Sequence, residues 1–222
     1  MKGFYVAVVA VLVIGTGWLV YQARSKSSQG GGLGAEAPVP AATDGFPGYT
    51  MGNDSASIKV TEYSDFECPY CAAFATVQMP EVRTQLIATG RVLWRYRDFP
   101  ISTHKWSRLA ALSAQCAGEQ GKFWDMHDQL FGHRDWVEQD KDPSDAFRGF
   151  AQTVGLDLAR YDDCMKTRRY AGRIQASLEE GQALNIQGTP AFFVNGRHYQ
   201  GRATSDAFKA IVDSLSAARR KG

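Results

Sequence analysis

Residues 58–71 read IKVTEYSDFECPYC, and the fold turns on how this stretch is parsed. Ile58 to Tyr63 alternates side-chain character with the two-residue period of a strand. After a short turn, Cys71 to Ala88 carries a helical pattern, closed by Gly90 and expected to kink at Pro80. Val92 to Tyr96 (VLWRY) then reads as a second strand. Parallel neighbours need a crossover connection, so the three segments predict a β-α-β unit. Cys68 and Cys71 lie where its first strand gives way to its helix.

That placement suits redox chemistry. Side chains three apart share a helix face, so the two sulfurs can bond across a single turn. Cys68 meets the unpaired N–H groups and the positive dipole end of the helix, which favour a thiolate. Pro69 fits the first helical position, where its missing N–H costs nothing. Cys68 is therefore read as the accessible, low-pKa sulfur and Cys71 as the shielded, resolving one. Asp65 and Glu67 work against a thiolate, since nearby negative charge raises a thiol's pKa; they are read as solvated turn residues. A C-x-x-C is also half of many zinc sites, or a structural disulfide. Zinc needs a second close pair, but Cys116 and Cys164 stand apart, and His104, His127, His133 and His198 lack ligand spacing. No metal and no cofactor is expected.

Downstream, residues 106–184 turn helical, with apolar residues three and four apart: Leu109, Leu112, Cys116; Phe123, Met126, Leu130; Phe147, Phe150, Val154. Trp94, Trp106, Trp124 and Trp136 read as packing residues. Ala191–Val194 and Tyr199 flank Asn195-Gly196, a strong hairpin signal, and a last amphipathic helix runs over 205–218, capped by Thr204 or Ser205. The order predicts an α/β domain over 49–222, with a helical insertion at about 104–186 between the β-α-β unit and the C-terminal hairpin and helix.

Upstream, Phe4 to Tyr21 (FYVAVVAVLVIGTGWLVY) carries no charge and is long enough to cross a bilayer's hydrocarbon core as a helix. Tyr5, Trp18 and Tyr21 sit near its ends, where aromatics favour the interface. Residues 1–24 are thus read as a membrane anchor, with a cleaved signal as the alternative. The sole A-x-A-like site, Ala35-Glu36-Ala37, lies far beyond the apolar run. Residues 25–48, rich in Gly, Ser, Ala and Pro, read as a flexible linker.

The formal net charge of +2 comes entirely from residues 1–37, where Lys2, Arg24 and Lys26 face only Glu36. The balanced remainder has no electrostatic footprint for nucleic acid.

Together these motifs resemble the thioredoxin superfamily. A strand–CPYC–helix unit precedes Gly188-Thr189-Pro190 and a late hairpin. The long helical block, Asp98-Phe99-Pro100, Gly121-Lys122-Phe123-Trp124 and Phe193-Val194-Asn195-Gly196 resemble its DsbA-like branch. The likeness spans roughly Ile58 to Leu215. It implies a thioredoxin fold, a cis bond before Pro190 packed against the Cys68–Cys71 disulfide, and Thr189 offering backbone hydrogen bonds to an extended substrate. Pro69 and Tyr70 tune the active site; the oxidase that names the branch carries His where Tyr70 stands. CPYC also occurs in glutaredoxins and in an isomerase relative.

The implied activity is thiol–disulfide oxidation of reduced exported proteins, with a membrane quinone-linked re-oxidase as electron partner. A reductase or isomerase on the same fold, or a non-catalytic peptide-binding chaperone, are the alternatives. The chemistry places the catalytic domain on the periplasmic or extracellular side of the cell membrane, held by a single N-terminal anchor. Cys116 and Cys164 are read either as a structural disulfide, favoured by an oxidising compartment, as two buried thiols, or as a second redox pair.

Overall fold

The computed structural model describes residues 32–36 and 45–220. The anchor read at 4–21 lies outside the described residues, among which no helix is long and apolar enough to cross a membrane. Strands β1 (Gly32–Glu36), β2 (Tyr49–Met51) and β3 (Ile58–Ser64) lead into α1, the helical run over 69–87, and β4 (Val92–Asp98) follows. Five helices come next: α2 (Ser107–Gly118), α3 (Phe123–Gly132), α4 (Ser144–Thr153), α5 (Leu158–Thr167) and α6 (Ala171–Ala183). Strands β5 (Ala191–Val194) and β6 (Arg197–Gln200) and helix α7 (Ser205–Arg219) close the chain.

One six-stranded sheet runs β1-β6-β5-β3-β4-β2. β3 and β4 pair in parallel from Ile58↔Val92 to Ser64↔Asp98, and every other pair is antiparallel. This is the expected α/β fold with its helical insertion. The turn at Asn195-Gly196 has φ of 49° and 79°, the double left-handed geometry of a two-residue hairpin. Thr204 caps α7 by accepting from the Ala207 N–H.

Three local features go beyond what the sequence pattern shows. Gly32–Glu36, inside the stretch read as a flexible linker, pairs with β6. Strand pairing is a backbone property, so this Gly-rich segment can pair without an alternating pattern. β2 was not anticipated because three residues are too few to show a period. At Pro80 the chain meets the kink by widening the helix. π-helical Phe74–Gln78 and Arg83–Ile87 alternate with α-helical Pro69–Ala73 and Met79–Val82, and the Met79 N–H reaches back five residues to Phe74. Pro80 has no N–H with which to continue the ladder.

Ile58, Val60, Trp94, Phe192 and Val194 face Phe74, Met79, Phe208 and Val212 of α1 and α7 in one core. The insertion packs a second core around Met126, Leu130, Phe131, Trp136 and Phe147, which extends to Phe66, Cys71 and Tyr96. Cys116 of α2 bonds Cys164 of α5, with S–S 2.02 Å and Cα–Cα 5.8 Å. The insertion is seated on the sheet through polar and close contacts. Arg97 of β4 pairs with Glu180 of α6, which also accepts from the Tyr63 hydroxyl, and Gln115 donates to Asp98 at 2.6 Å. At Gly118 and Gly181 an added Cβ would overlap the rings of Tyr49 and Phe99.

Candidate active site

The site sits beyond the C-terminal end of β3, the strand paired on both sides by β4 and β5. Asp65 opens the turn. Its carbonyl accepts from the Cys68 N–H at 3.1 Å, and its buried carboxylate accepts from the Glu67 N–H (2.8 Å) and the Ile101 N–H (2.7 Å). His104 Nδ1 lies 2.8 Å from the same carboxylate. Glu67 Oε2 accepts from the Trp106 N–H at 2.7 Å. The acidic pair is therefore built into the turn, against the expectation of two solvated residues. Backbone donors and a histidine take up charge that would otherwise face Cys68.

Cys68 is the N-cap of α1 with extended backbone, and Pro69 takes the first helical position. Cys68 and Cys71 are both free thiols. The Cys68 thiol is lowered to about 5, first by a hydrogen bond from the Cys71 thiol. Burial opposes this, and the Thr189 side chain and the N–H groups of Cys71 and Tyr70 add to it. The helix terminus thus contributes as expected, but behind the neighbouring thiol. Cys71 is pushed well above the ordinary thiol value, first by burial and then by its bond to the Cys68 sulfur and that sulfur's charge. One sulfur is poised as an anion and the other holds its proton.

Cys68 is not exposed, as the sequence reading had it: only 3% of its surface is accessible, against 0% for Cys71. The Thr189 carbonyl lies 3.3 Å from the Cys68 sulfur, and the Thr189–Pro190 bond is cis. This turn covers the sulfur directly before β5 begins at Ala191. Tyr70, read as an active-site tuner, is 75% exposed and Val77 66%, the large apolar side chains most open to solvent among the described residues. With Ala73, Phe74, Gln78, Pro190 and Ala203 they line a depression of about 300 Å³.

Glu62 lies two residues before the end of β3, fully buried, on the strand face of Ile58 and Val60. Burial pushes its carboxyl up to about 7, offset in part by the Trp94 N–H, which donates to Oε2 at 2.9 Å. The Ser64 hydroxyl lowers it further. Sequence reasoning passed over this residue, although strand parity alone puts it inside. It also passed over Arg134, whose guanidinium donates to the carbonyls of Phe66 (2.9 Å) and Glu67 (2.6 Å). Among the described residues, no group of three His, Cys, Asp or Glu side chains could hold a metal ion.

The thioredoxin family model matches residues 46–214 of this chain. The chain belongs to the thioredoxin family. Within that family it has the DsbA-like fold. The oxidised BdbD of Bacillus subtilis superposes with TM-score 0.69 at 24% identity, over 83% of this chain and 97% of that one. α-DsbA1 of Wolbachia pipientis gives 0.68 at 20%, over 76% and 90%. A thioredoxin-like oxidoreductase from Silicibacter pomeroyi DSS-3 gives 0.64 at 27%, over 83% and 99%. Among curated relatives, the Na(+)/H(+) antiporter NhaA 3 of Salinispora tropica is 38% identical over 173 residues, which is 78% of this chain and 25% of that protein. The antiporter NhaA 1 of Salinispora arenicola is 36% identical over the same shares. The chain thus spans about a quarter of the length of these two relatives. What it shares with the DsbA-like structures is the scaffold of a thiol–disulfide oxidoreductase.

Proposed function

We propose that this thioredoxin-family chain introduces disulfides into exported proteins through Cys68 and Cys71. The observation that carries the reading is the placement of a free Cys68 at the N-terminus of α1, beside the Cys71 thiol and under the Thr189 turn, which favours a Cys68 thiolate while Cys71 keeps its proton. Stabilising the reduced form makes a dithiol couple oxidising. A substrate thiolate attacks the Cys68 sulfur of the Cys68–Cys71 bond, and Cys71 leaves as a thiolate that takes up a proton. A second substrate thiolate then attacks its own sulfur in the mixed disulfide, and Cys68 leaves as a thiolate. Two electrons pass from the substrate dithiol to the enzyme disulfide.

Thr189 and Pro190 border the groove for the substrate, and the exposed Tyr70 and Val77 offer it apolar contact. Pro69 and Tyr70 set the geometry of the turn between the sulfurs. The Cys116–Cys164 bond is structural and supports an oxidising compartment outside the cytoplasm. Residues 4–21 anchor the domain in the cell membrane, and a membrane quinone-linked re-oxidase takes its electrons.

Two measurements test this reading: equilibration of the Cys68–Cys71 couple with glutathione, and the pH dependence of Cys68 alkylation. An oxidase should show a couple far more oxidising than glutathione and an alkylation midpoint near 5. A couple as reducing as thioredoxin's, with a midpoint near the ordinary thiol value of about 8.5, would establish a reductase instead.

A further inference from the structure

Arg134 reaches the active-site turn from the helical insertion. α3 ends at Gly132, and Arg134 begins a tight turn closed by the Val137 N–H on its own carbonyl at 2.9 Å. Buried Trp136 fixes that turn by donating to the Leu130 carbonyl at 3.2 Å. From this base, the two terminal nitrogens of Arg134 take the carbonyls of Phe66 and Glu67, the two residues that precede Cys68. The other ends of those two peptide units are bound as well, since the Glu67 N–H donates to the Asp65 carboxylate and the Cys68 N–H to the Asp65 carbonyl. Both peptides are therefore held at both ends, with their negative oxygen atoms turned onto a cation.

Electrostatics gives the arrangement a second consequence. Partial burial lowers the pKa of Arg134, and the Cys68 sulfur is the foremost of the charges that oppose this, ahead of Cys71, Glu67 and Asp65. Asp65 and Glu67 bring two carboxylates to the turn that carries the nucleophile. Arg134 is a fixed positive charge placed against them.

We propose that Arg134 is a positioning residue through which the helical insertion sets the oxidising strength of the Cys68–Cys71 couple. This rests on the disulfide-exchange reading given above. In the disulfide, Cys68 carries no charge and Arg134 gains nothing from it. In the reduced enzyme, Cys68 is an anion that the guanidinium and the clamped turn stabilise. The balance is enzyme disulfide plus substrate dithiol giving enzyme thiolate and thiol, one released proton and substrate disulfide. Whatever favours the thiolate drives it forward.

The test compares wild type, Arg134→Gln and Arg134→Lys in the full chain, reading the pH midpoint of Cys68 alkylation and the equilibrium constant with glutathione. Arg134→Gln should make Cys68 bind its proton several-fold to tenfold more tightly. The couple should become more reducing by the same factor, and a tenfold change corresponds to about 30 mV. Arg134→Lys keeps the charge without the two-pronged geometry and should fall between the two. Should Arg134→Gln fail to fold, the Lys variant alone decides, a midpoint equal to wild type counting against the proposal. Unchanged midpoints and equilibrium constants, with only the melting temperature lowered, would make Arg134 a structural staple and overturn the inference. A wild-type midpoint near 8.5 would instead defeat the oxidase reading itself, so the two failures are distinguishable.

Discussion

The chain carries two pairs of cysteines, buried almost equally: 3% and 0% exposed for Cys68 and Cys71, 1% each for Cys116 and Cys164. One pair is free and the other bonded. Burial does not separate them. Their polar surroundings do. Cys68 and Cys71 meet helix N–H groups, Thr189, Ser64 and each other's thiol, so one charge state is favoured at each sulfur. All four belong to one core, but Cys116 and Cys164, 48 residues apart in sequence, are bonded to each other and bridge two helices. A thiol becomes reactive through donors aimed at its anion.

The sharpest way to break that contrast is to remove one active-site sulfur at a time. Cys68→Ser should abolish dithiol oxidation and trap no substrate, whereas Cys71→Ser should also be inactive but accumulate mixed disulfides at Cys68. Equal trapping by both would reverse the assigned roles. The bonded pair should fail in a different currency. In Cys116→Ala/Cys164→Ala, stability should fall by about 3–4 kcal/mol for a closed loop of this size. That is a melting-temperature loss of roughly 10 °C in a domain of this length. The Cys68 alkylation midpoint should stay where it is in the wild type, and a shift of a full unit would mean that the two pairs are coupled.

The smallest effect is a pH dependence, best read in the oxidised protein, where the active-site sulfurs do not titrate. Glu62 is raised from 4.5 to about 7 by burial, so the folded protein holds this proton more tightly than the unfolded chain does. Its contribution to stability is complete below about 4.5 and is lost as pH rises through about 7. Glu62→Gln should remove a loss of about 2.5 kcal/mol between pH 5 and pH 8, measured by denaturant unfolding. Parallel stability curves for wild type and variant across that range would show that Glu62 does not titrate there.

Much of this was legible in the sequence because the deciding features are local. β3, β4, the Asn195-Gly196 hairpin and α7 carry their own periods, turn residues or caps, and CPYC and Thr189-Pro190 stand out as motifs. Glu62 was legible too, by counting from Ile58 in steps of two. What stayed hidden depends on chain segments that meet only after folding. His104 reaches Asp65 across 39 residues, and Arg134 reaches Phe66 across 68. No spacing rule links such partners, so Asp65 and Glu67 looked like loose turn residues. The burial of Cys68 was missed for the same reason, because its cover arrives from Thr189, 121 residues away.

The two glycines that seat the insertion, Gly118 against Tyr49 and Gly181 against Phe99, have a consequence for how the sequence can drift. Alanine is ordinarily a welcome guest inside a helix. At these two points, however, its single methyl group is a wedge between helix and ring. Tyr49 cannot easily swing away, because its ring stacks on Phe123 at 3.8 Å and its hydroxyl bonds to Gln115. Gly118 and Gly181 are therefore where a change harmless to either half of the molecule would be felt by both, prising the insertion from the sheet that it covers.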